Sequence, residues 1–135
     1  MPNYESLLNE RQLEAVTTHS QFVRIVAGAG SGKTRVLTYR ISYLISDMKV
    51  DPSRILAIAF TNKVANEMKQ RASKLVFDIL GRMPILSIST FHSFCARFLR
   101  EEHKAFSYPP GFTIFDEDDQ KQLFGNVASE LGYKK

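Results

Sequence analysis

The sequence predicts an α/β fold in which helices flank a parallel β-sheet. Short apolar segments alternate with helical patterns along the chain, and this alternation is typical of right-handed β-α-β units. Segment 54–60 is apolar at almost every position, as expected for a strand that is buried on both faces of a parallel sheet. The chain has 135 residues, of which 44% are hydrophobic, so it is long enough to build one domain with a core.

The amino-terminal half is expected to form a helix, a strand and a second helix. Segment 8–16 is predicted to form a short helix, and Asn9 is a suitable N-cap for it. Segment 22–26 is rich in β-branched and aromatic residues, which predicts the first strand. A helix over 32–48 should follow and end in a turn over 49–53. The predicted inward face of this second helix consists of Leu37, Ile41, Leu44 and Met48.

The middle of the chain continues the alternation. After the strand over 54–60, Thr61-Asn62 should cap a helix that stops near Gly81. Segment 85–89 is the third predicted strand, and another helix begins after Thr90. The buried stripe of the helix after Thr61 is expected to be Ala65, Met68, Ala72, Leu75 and Ile79.

The carboxy-terminal part contains the strongest break in the chain, at 107–111. A fourth apolar segment over 112–115 follows, and the last predicted helix starts at Asp116. One side of that helix carries Leu123, Phe124, Val127 and Leu131.

Composition and charge limit the class of protein. No apolar run approaches the roughly 18 residues needed to span a membrane, and the first residues lack the pattern of a secretory signal. The single cysteine, Cys95, cannot form an internal disulfide. We therefore expect a cytoplasmic protein without a membrane partner. The formal net charge of +4 is compatible with a polyanionic partner but does not require one.

The segment Ala27-Gly28-Ala29-Gly30-Ser31-Gly32-Lys33-Thr34 has the spacing of a phosphate-binding loop, with Ala27 in place of the usual first glycine. Its glycines allow several N–H groups to converge on one anion, and the following helix directs its dipole at the same place. Lys33 can contact the outer phosphates, and the Thr34 hydroxyl can ligate Mg²⁺. A flexible Gly/Ser loop with a chance lysine is the alternative, but the predicted strand and helix on either side favour the phosphate loop.

Polar and aromatic side chains follow the next two predicted strands. These segments are Phe60-Thr61-Asn62-Lys63 and Thr90-Phe91-His92-Ser93. Hydroxyls, N–H groups and a lysine suit phosphate oxygens, and an exposed ring suits an unstacked base. Ligands of parallel sheets bind outside the carboxyl ends of the strands, which is where these two segments lie. The segments therefore suggest a track for single-stranded nucleic acid. The alternative is that the rings are core residues and the threonines are helix caps.

Four segments together resemble the amino-terminal part of the UvrD/PcrA/Rep family of superfamily-one DNA helicases. Their order and spacing match across nearly the whole chain. The segments are Leu8-Asn9-Glu10-Arg11-Gln12, the loop extended to Ala27–Leu37, Phe60–Met68, and Ser89-Thr90-Phe91-His92-Ser93-Phe94-Cys95.

The resemblance implies a RecA-like P-loop NTPase fold, present as a partial domain over 1–111. Residues 112–135 would begin the connection to an inserted helical subdomain. It also implies an ATP-dependent 3′-to-5′ DNA helicase that uses ATP and Mg²⁺ and acts in DNA repair or replication. Its partners would be single-stranded DNA, duplex junctions and a second RecA-like half of the same polypeptide.

Site residues follow from the same resemblance. Gln12 would read adenine, since its carboxamide offers one donor and one acceptor. The loop (with Walker A residues Lys33 and Thr34) and Arg35 would contact the nucleotide. Segments 60–63 and 90–93 would line the DNA path, with His92 either touching DNA or positioning its neighbours.

The chain departs from the family pattern in length. The acidic pair that binds magnesium and activates water is expected beyond residue 135, as are the arginines of a second half. Asp116 and Glu117 are the candidates within the chain, but acidic residues in the first turn of a helix are expected to cap it. We therefore expect a fragment of a larger helicase.

Two other functions fit the phosphate loop. A small nucleotide kinase also needs an acceptor site and an arginine-rich lid, and the sequence after the loop offers no candidate lid. A stand-alone nucleotide-switched DNA-binding module is the non-enzymatic alternative.

Overall fold

The structure is a computed structural model that describes residues 3–133. The described residues form two compact units that divide between Phe94 and Cys95. The predicted boundary between 111 and 112 concerns domains rather than local compactness, and it stays a prediction. The elements are α1 (Tyr4–Leu7), α2 (Glu10–Thr17), α3 (Lys33–Ser46), a 3-10 turn (Pro52–Arg54), β1 (Leu56–Ala59), α4 (Asn62–Leu80), β2 (Ser87–Thr90), α5 (Phe91–Glu101) and α6 (Glu117–Glu130).

The sheet of the first unit contains the two parallel strands β1 and β2, in a register that pairs Leu56 with Ser87 and Ala59 with Thr90. Helix α4 connects the two strands and packs on the sheet, which is the predicted β-α-β arrangement. The mixed α/β class with a parallel sheet flanked by helices is thus confirmed. One face of β1 points away from the core, since Leu56 and Ile58 are exposed.

Two apolar clusters hold the first unit together. The larger one lies between α3, α4 and the sheet, and Met68, Ala72 and Val76 of α4 are almost completely buried in it. The predicted buried stripe of α4 is thus confirmed at Ala65, Met68 and Ala72. Its other two members, Leu75 and Ile79, are only partly buried. The smaller cluster consists of Tyr4, Leu8, Val16 and Val36, and it joins α1 and α2 to α3.

The predicted inward face of α3 is wrong at two of its four positions. Leu37 and Met48 are exposed, and the helix ends at Ser46. Helix α3 instead packs on two sides, against α2 and against α4, so no single stripe describes its burial. The small polar residues Thr38, Ser42 and Ser46, each four positions apart, are also buried.

One of the three predicted strands does not form, and the fourth apolar segment is not a strand either. Segment 22–26 pairs with no other strand among the described residues, and its Phe22 and Val26 side chains are 84% and 86% exposed. Segment 112–115 is likewise irregular, with Ile114 and Phe115 about half exposed. Strand preference measures how well a side chain fits a packed, pleated surface, and these segments have no such neighbour.

The capping predictions are largely confirmed. Asn9 and Gln12 form a capping box on α2, Thr61 caps α4, and α4 ends at Gly81 in a left-handed conformation. In the turn before β1, hydrogen bonds from the Ser53 hydroxyl and N–H hold the pKa of Asp51 below its usual value.

The second unit has little buried surface of its own. No residue of α5 or α6 is buried, and the predicted apolar side of α6 is largely exposed. Phe98, Phe106, Tyr108 and Phe112 form a chain of ring contacts with centroids 4.9–6.4 Å apart. In the part of the chain that the structure describes, no helix is long and apolar enough to cross a membrane.

Candidate nucleotide-binding site

The phosphate loop leads directly into helix α3. Gly30 and Gly32 have φ values of +75° and +88°, a left-handed region that side-chain-bearing residues rarely adopt. Gly32 is the N-cap of α3, and no side chain caps the helix. The first N–H groups of α3 are therefore left without a capping side chain at the end where the helix dipole favours an anion.

Lys33, the first residue of α3, is exposed and bonds back to this loop. Its ammonium donates to the carbonyls of Ala27 at 2.9 Å and Gly28 at 2.6 Å. The Gly28 carbonyl also accepts from the Ser31 hydroxyl at 2.8 Å. These bonds hold the ammonium at the start of α3, where its positive charge adds to the partial positive charge of the helix amino terminus.

Gln12 connects α2 to the loop. Its Oε1 accepts from the Asn9 backbone N–H, and its Nε2 donates to the Ser31 carbonyl at 3.2 Å. A Cβ on Gly32 would lie 2.9 Å from Gln12 Nε2, the end of a flexible side chain, so it is the left-handed φ of +88° that favours glycine at this position. The structure therefore brings Gln12 against the loop. That the two share a nucleotide site stays a prediction.

A cavity of about 230 Å³ opens beside the loop. Gln12 and Lys33 lie at its polar side, and its other walls are mainly apolar. The apolar lining residues are Ala15, Ile25, Val26, Ala27 and Val36. An apolar cavity with a few polar groups is the usual form of a small-molecule site.

The remaining predicted residues of the loop are placed around its rim. Ala29 is exposed, and Thr34 is half-buried with its carbonyl bonded to the Thr38 hydroxyl at 2.8 Å. Arg35 reaches away from the loop, because its Nη2 donates to the Leu7 carbonyl at 2.7 Å and its guanidinium lies over Tyr39. Within residues 3–133, no group of three or more acidic, His or Cys side chains could by itself hold a metal ion.

The two strand-end segments adjoin each other. Because β1 and β2 are parallel and Ala59 is paired with Thr90, the residues that follow the two strands emerge side by side at the carboxyl end of the sheet. Phe60 is 98% exposed and Phe91 is 60% exposed, so neither ring belongs to the core. Among the described hydrogen bonds, none joins these segments to the phosphate loop.

The threonines of these segments cap helices. The Thr61 hydroxyl accepts from the Val64 N–H at 3.3 Å, and the Thr90 hydroxyl accepts from the Ser93 N–H at 3.2 Å. Asn62, Lys63, His92 and Ser93 are exposed, and the His92 ring contacts Phe91 edge to face. The segments therefore combine capped helix starts with two exposed rings.

The acidic residues after the apolar segment 112–115 also cap a helix, as expected. Asp116 Oδ1 accepts from the N–H groups of Asp118 and Asp119, both at 2.9 Å, and Asp119 completes a capping box.

Helix α1 is an element that the sequence pattern does not predict. Asn3 caps it, and Tyr4 is buried against α3. An asparagine followed two positions later by a glutamate was the available signal, but four residues are too few to show helical periodicity.

Comparison with known proteins gives the chain a family. The model of the UvrD/REP helicase N-terminal domain matches residues 8–135. A probable DNA helicase II homolog of Mycoplasma capricolum is 48% identical over 128 residues, which are 95% of this chain and 17% of that protein. The ATP-dependent DNA helicase PcrA of Staphylococcus aureus is 48% identical over 89% of this chain, and that of Leuconostoc citreum is 45% identical over 92%. Each of these two matches covers 16% of the relative.

This chain thus spans about a sixth of the length of these relatives. Since the family model covers all but its first seven residues, the chain belongs to the UvrD/REP helicase N-terminal domain family.

Proposed function

We propose that this chain is the ATP-binding part of a DNA helicase, with a partial RecA-like P-loop fold. The observation that carries the proposal is the loop over 27–34, which leads into α3 through two left-handed glycines and whose carbonyls accept hydrogen bonds from Lys33. The printed names of its relatives, ATP-dependent DNA helicases, support ATP as the nucleotide.

The residues of the loop fit a nucleoside triphosphate with Mg²⁺. A Cβ built on Gly28 or Gly30 would meet nothing within 4 Å, so the loop leaves open space on that side for phosphate oxygens. The N–H groups and Lys33 would hold those oxygens, and Thr34 would be the ligand that this chain supplies to Mg²⁺. The ion itself would neutralise charge on the outer phosphates. Gln12 would contact the base.

The number of phosphates should decide affinity. We expect ATP and ADP to displace a fluorescent ATP analogue from the full natural polypeptide with Mg²⁺, and AMP to bind at least about 30-fold more weakly. The loss is expected because AMP forgoes several charge-assisted hydrogen bonds of about 1.5–3 kcal/mol each. Competition titration measures the three constants, and equal affinities for ATP and AMP would rule out phosphate recognition by the loop.

The proposed path for single-stranded DNA runs along the carboxyl end of the sheet, over the segments 60–63 and 90–93. Phe60 and Phe91 offer exposed ring faces there, and Lys63 adds an exposed cation beside Phe60. Stacked bases and neutralised phosphates are the two interactions that such paths use.

Phe60→Ala should weaken single-stranded DNA binding by about 5- to 150-fold, since one base–aromatic stack contributes about 1–3 kcal/mol. Nucleotide affinity should stay within about twofold, because the ring is not part of the loop. Fluorescence anisotropy with a labelled oligonucleotide measures the effect. Phe77→Ala, which removes another exposed ring from α4, is the matched control. An unfolded Phe60→Ala protein by circular dichroism would instead make Phe60 a structural residue.

The activity proposed for the complete protein is based on its similarity to the relatives described above. We propose that the acidic pair and the second RecA-like half lie in the remaining five-sixths of the helicase. The complete protein would couple ATP hydrolysis to 3′-to-5′ movement on single-stranded DNA and to unwinding at duplex junctions. Its expected setting is DNA repair or replication in the cytoplasm, and residues 112–135 would lead from the 1–111 domain into an inserted helical subdomain.

A further inference from the structure

An exposed apolar surface lies near the amino ends of the two strands. We define the basal patch as Phe77, Leu80, Met83 and Ile85, which lie at the end of α4 and in the segment that leads into β2. These side chains are 44%, 37%, 68% and 87% exposed. Large apolar side chains that are exposed together, rather than singly, mark surfaces that bind another molecule.

Two cavities open on the basal patch and meet at Met83. The first has a volume of about 600 Å³, lies along α4 and has Phe77 in its wall. The second has a volume of about 340 Å³ and is lined by Leu80, Pro84 and Ile85. Because Met83 lines both cavities, they form one groove, which we call the basal groove. Such a concave surface receives the protruding side chains of a peptide better than it fits the interface of a membrane.

Cations border the apolar part of the basal groove. Lys69 and Lys74 line the first cavity, and Arg82 lines the second. Among the described residues, the acidic side chain that lines the groove is Asp51, which accepts hydrogen bonds from Ser53. The described ion pairs include neither of the two lysines. The groove therefore has an excess of positive charge, which carboxylates of a partner would complement.

The basal groove lies at the opposite end of the sheet from the proposed DNA path. Segments 60–63 and 90–93 follow the carboxyl ends of β1 and β2, whereas segments 51–55 and 81–86 precede their amino ends. Strands of four residues separate the two ends by roughly 13 Å. A partner in the groove can therefore stay bound while the carboxyl end of the sheet is occupied.

We propose that the basal groove binds a short segment of another protein in which apolar side chains are flanked by carboxylates. The apolar side chains enter the cavities beside Phe77 and Met83, and the flexible thioether of Met83 adapts to their shape. The carboxylates meet Lys69 and Lys74 at the rim. This binding does not require a nucleotide, because none of these residues belongs to the phosphate loop.

A phage-displayed library of short random peptides, selected on the full natural polypeptide, tests for this chemistry. We expect the enriched sequences to combine two or more large apolar residues with Asp or Glu. A labelled synthetic copy of an enriched peptide is then titrated by fluorescence anisotropy. Met83→Ser should weaken its binding about tenfold or more, because a buried apolar contact is lost. Ile85→Ser is the second variant, and it should act in the same direction.

The matched control is Phe124→Ser, which removes an exposed ring of α6 that lines neither cavity. It should leave the affinity for the peptide within about twofold. The double variant Lys69→Glu, Lys74→Glu should weaken the peptide about tenfold at low salt, mainly through slower association, and the effect should shrink as salt screens the charges. Lys104→Glu, at another exposed lysine, is the control for this change.

The proposal is overturned if no enriched peptide is sensitive to Met83→Ser or Ile85→Ser, or if the enriched sequences lack carboxylates. Binding of anionic phospholipid vesicles that is lost in Met83→Ser, with no peptide enriched, would replace the protein partner by a membrane. Protection of residues 82–86 from hydrogen exchange in the free natural polypeptide would show that another part of the same protein fills the groove, and this would also overturn the proposal.

Discussion

ATP turnover by residues 1–135 alone is expected to be at least about 10³-fold slower than turnover by the full natural polypeptide. Hydrolysis needs phosphate donors, a metal, a group that positions water and a charge that stabilises the transition state. Under the proposed assignment, the loop would supply the phosphate donors and Thr34 would supply one ligand to the metal. Loss of a transition-state arginine alone typically costs about 10³–10⁵ in rate.

Phosphate release in the presence of Mg²⁺ and single-stranded DNA measures both rates, and a strand-displacement assay should show no unwinding by 1–135. The same fragment with Lys33→Ala is the control for contaminating ATPases. Turnover that is robust in the fragment and vanishes in this variant would refute the proposed division of the site. Asp116 and Glu117 would then be the first acidic residues to test, although Asp116 is engaged as the cap of α6.

Lys33→Ala should lower ATP turnover of the full natural polypeptide by about 10²–10³-fold. Loss of one charge-stabilising donor from a preorganised site has an effect of this size. Lys33 also donates to the carbonyls of Ala27 and Gly28, so its removal should disturb the backbone that is proposed to hold the phosphates. Steady-state phosphate release, with nucleotide binding by titration, measures the two effects separately.

Lys69→Ala is the matched control, because Lys69 is an exposed lysine on α4, outside the loop. Its turnover should equal that of the natural protein. If Lys33→Ala turned over ATP at a rate within twofold of that value, the proposed phosphate-binding role of the loop would be contradicted.

The parts that could be predicted from sequence are those set by local chemistry. Asn9, Thr61 and Asp116 were identified as caps because a short polar side chain can bond its own helix start. The loop was identified from glycine spacing, and Gly30 and Gly32 indeed adopt left-handed backbone. The strands β1 and β2 were found because each is a short apolar segment before a helix.

The parts that were missed depend on distant partners. Segment 22–26 has strand-forming residues, yet a strand exists only where another strand pairs with it, and the described residues provide none. The burial of Ser42 and Ser46 could not be inferred from hydrophobic periodicity, because it depends on the hydroxyl of Tyr4, about 40 positions earlier. Arg35 was placed at the nucleotide, but its bond to Leu7 follows only from the fold.

The two-stranded sheet leaves one hydrogen-bonding edge of β1 and one of β2 without a neighbouring strand in residues 3–133. Unpaired edges of this kind can template the addition of a strand from another molecule. The exposed Leu56 and Ile58 on β1 make such an encounter more favourable, since pairing would also remove apolar surface from water. Isolated, the chain should therefore tend to self-associate through its sheet as its concentration rises.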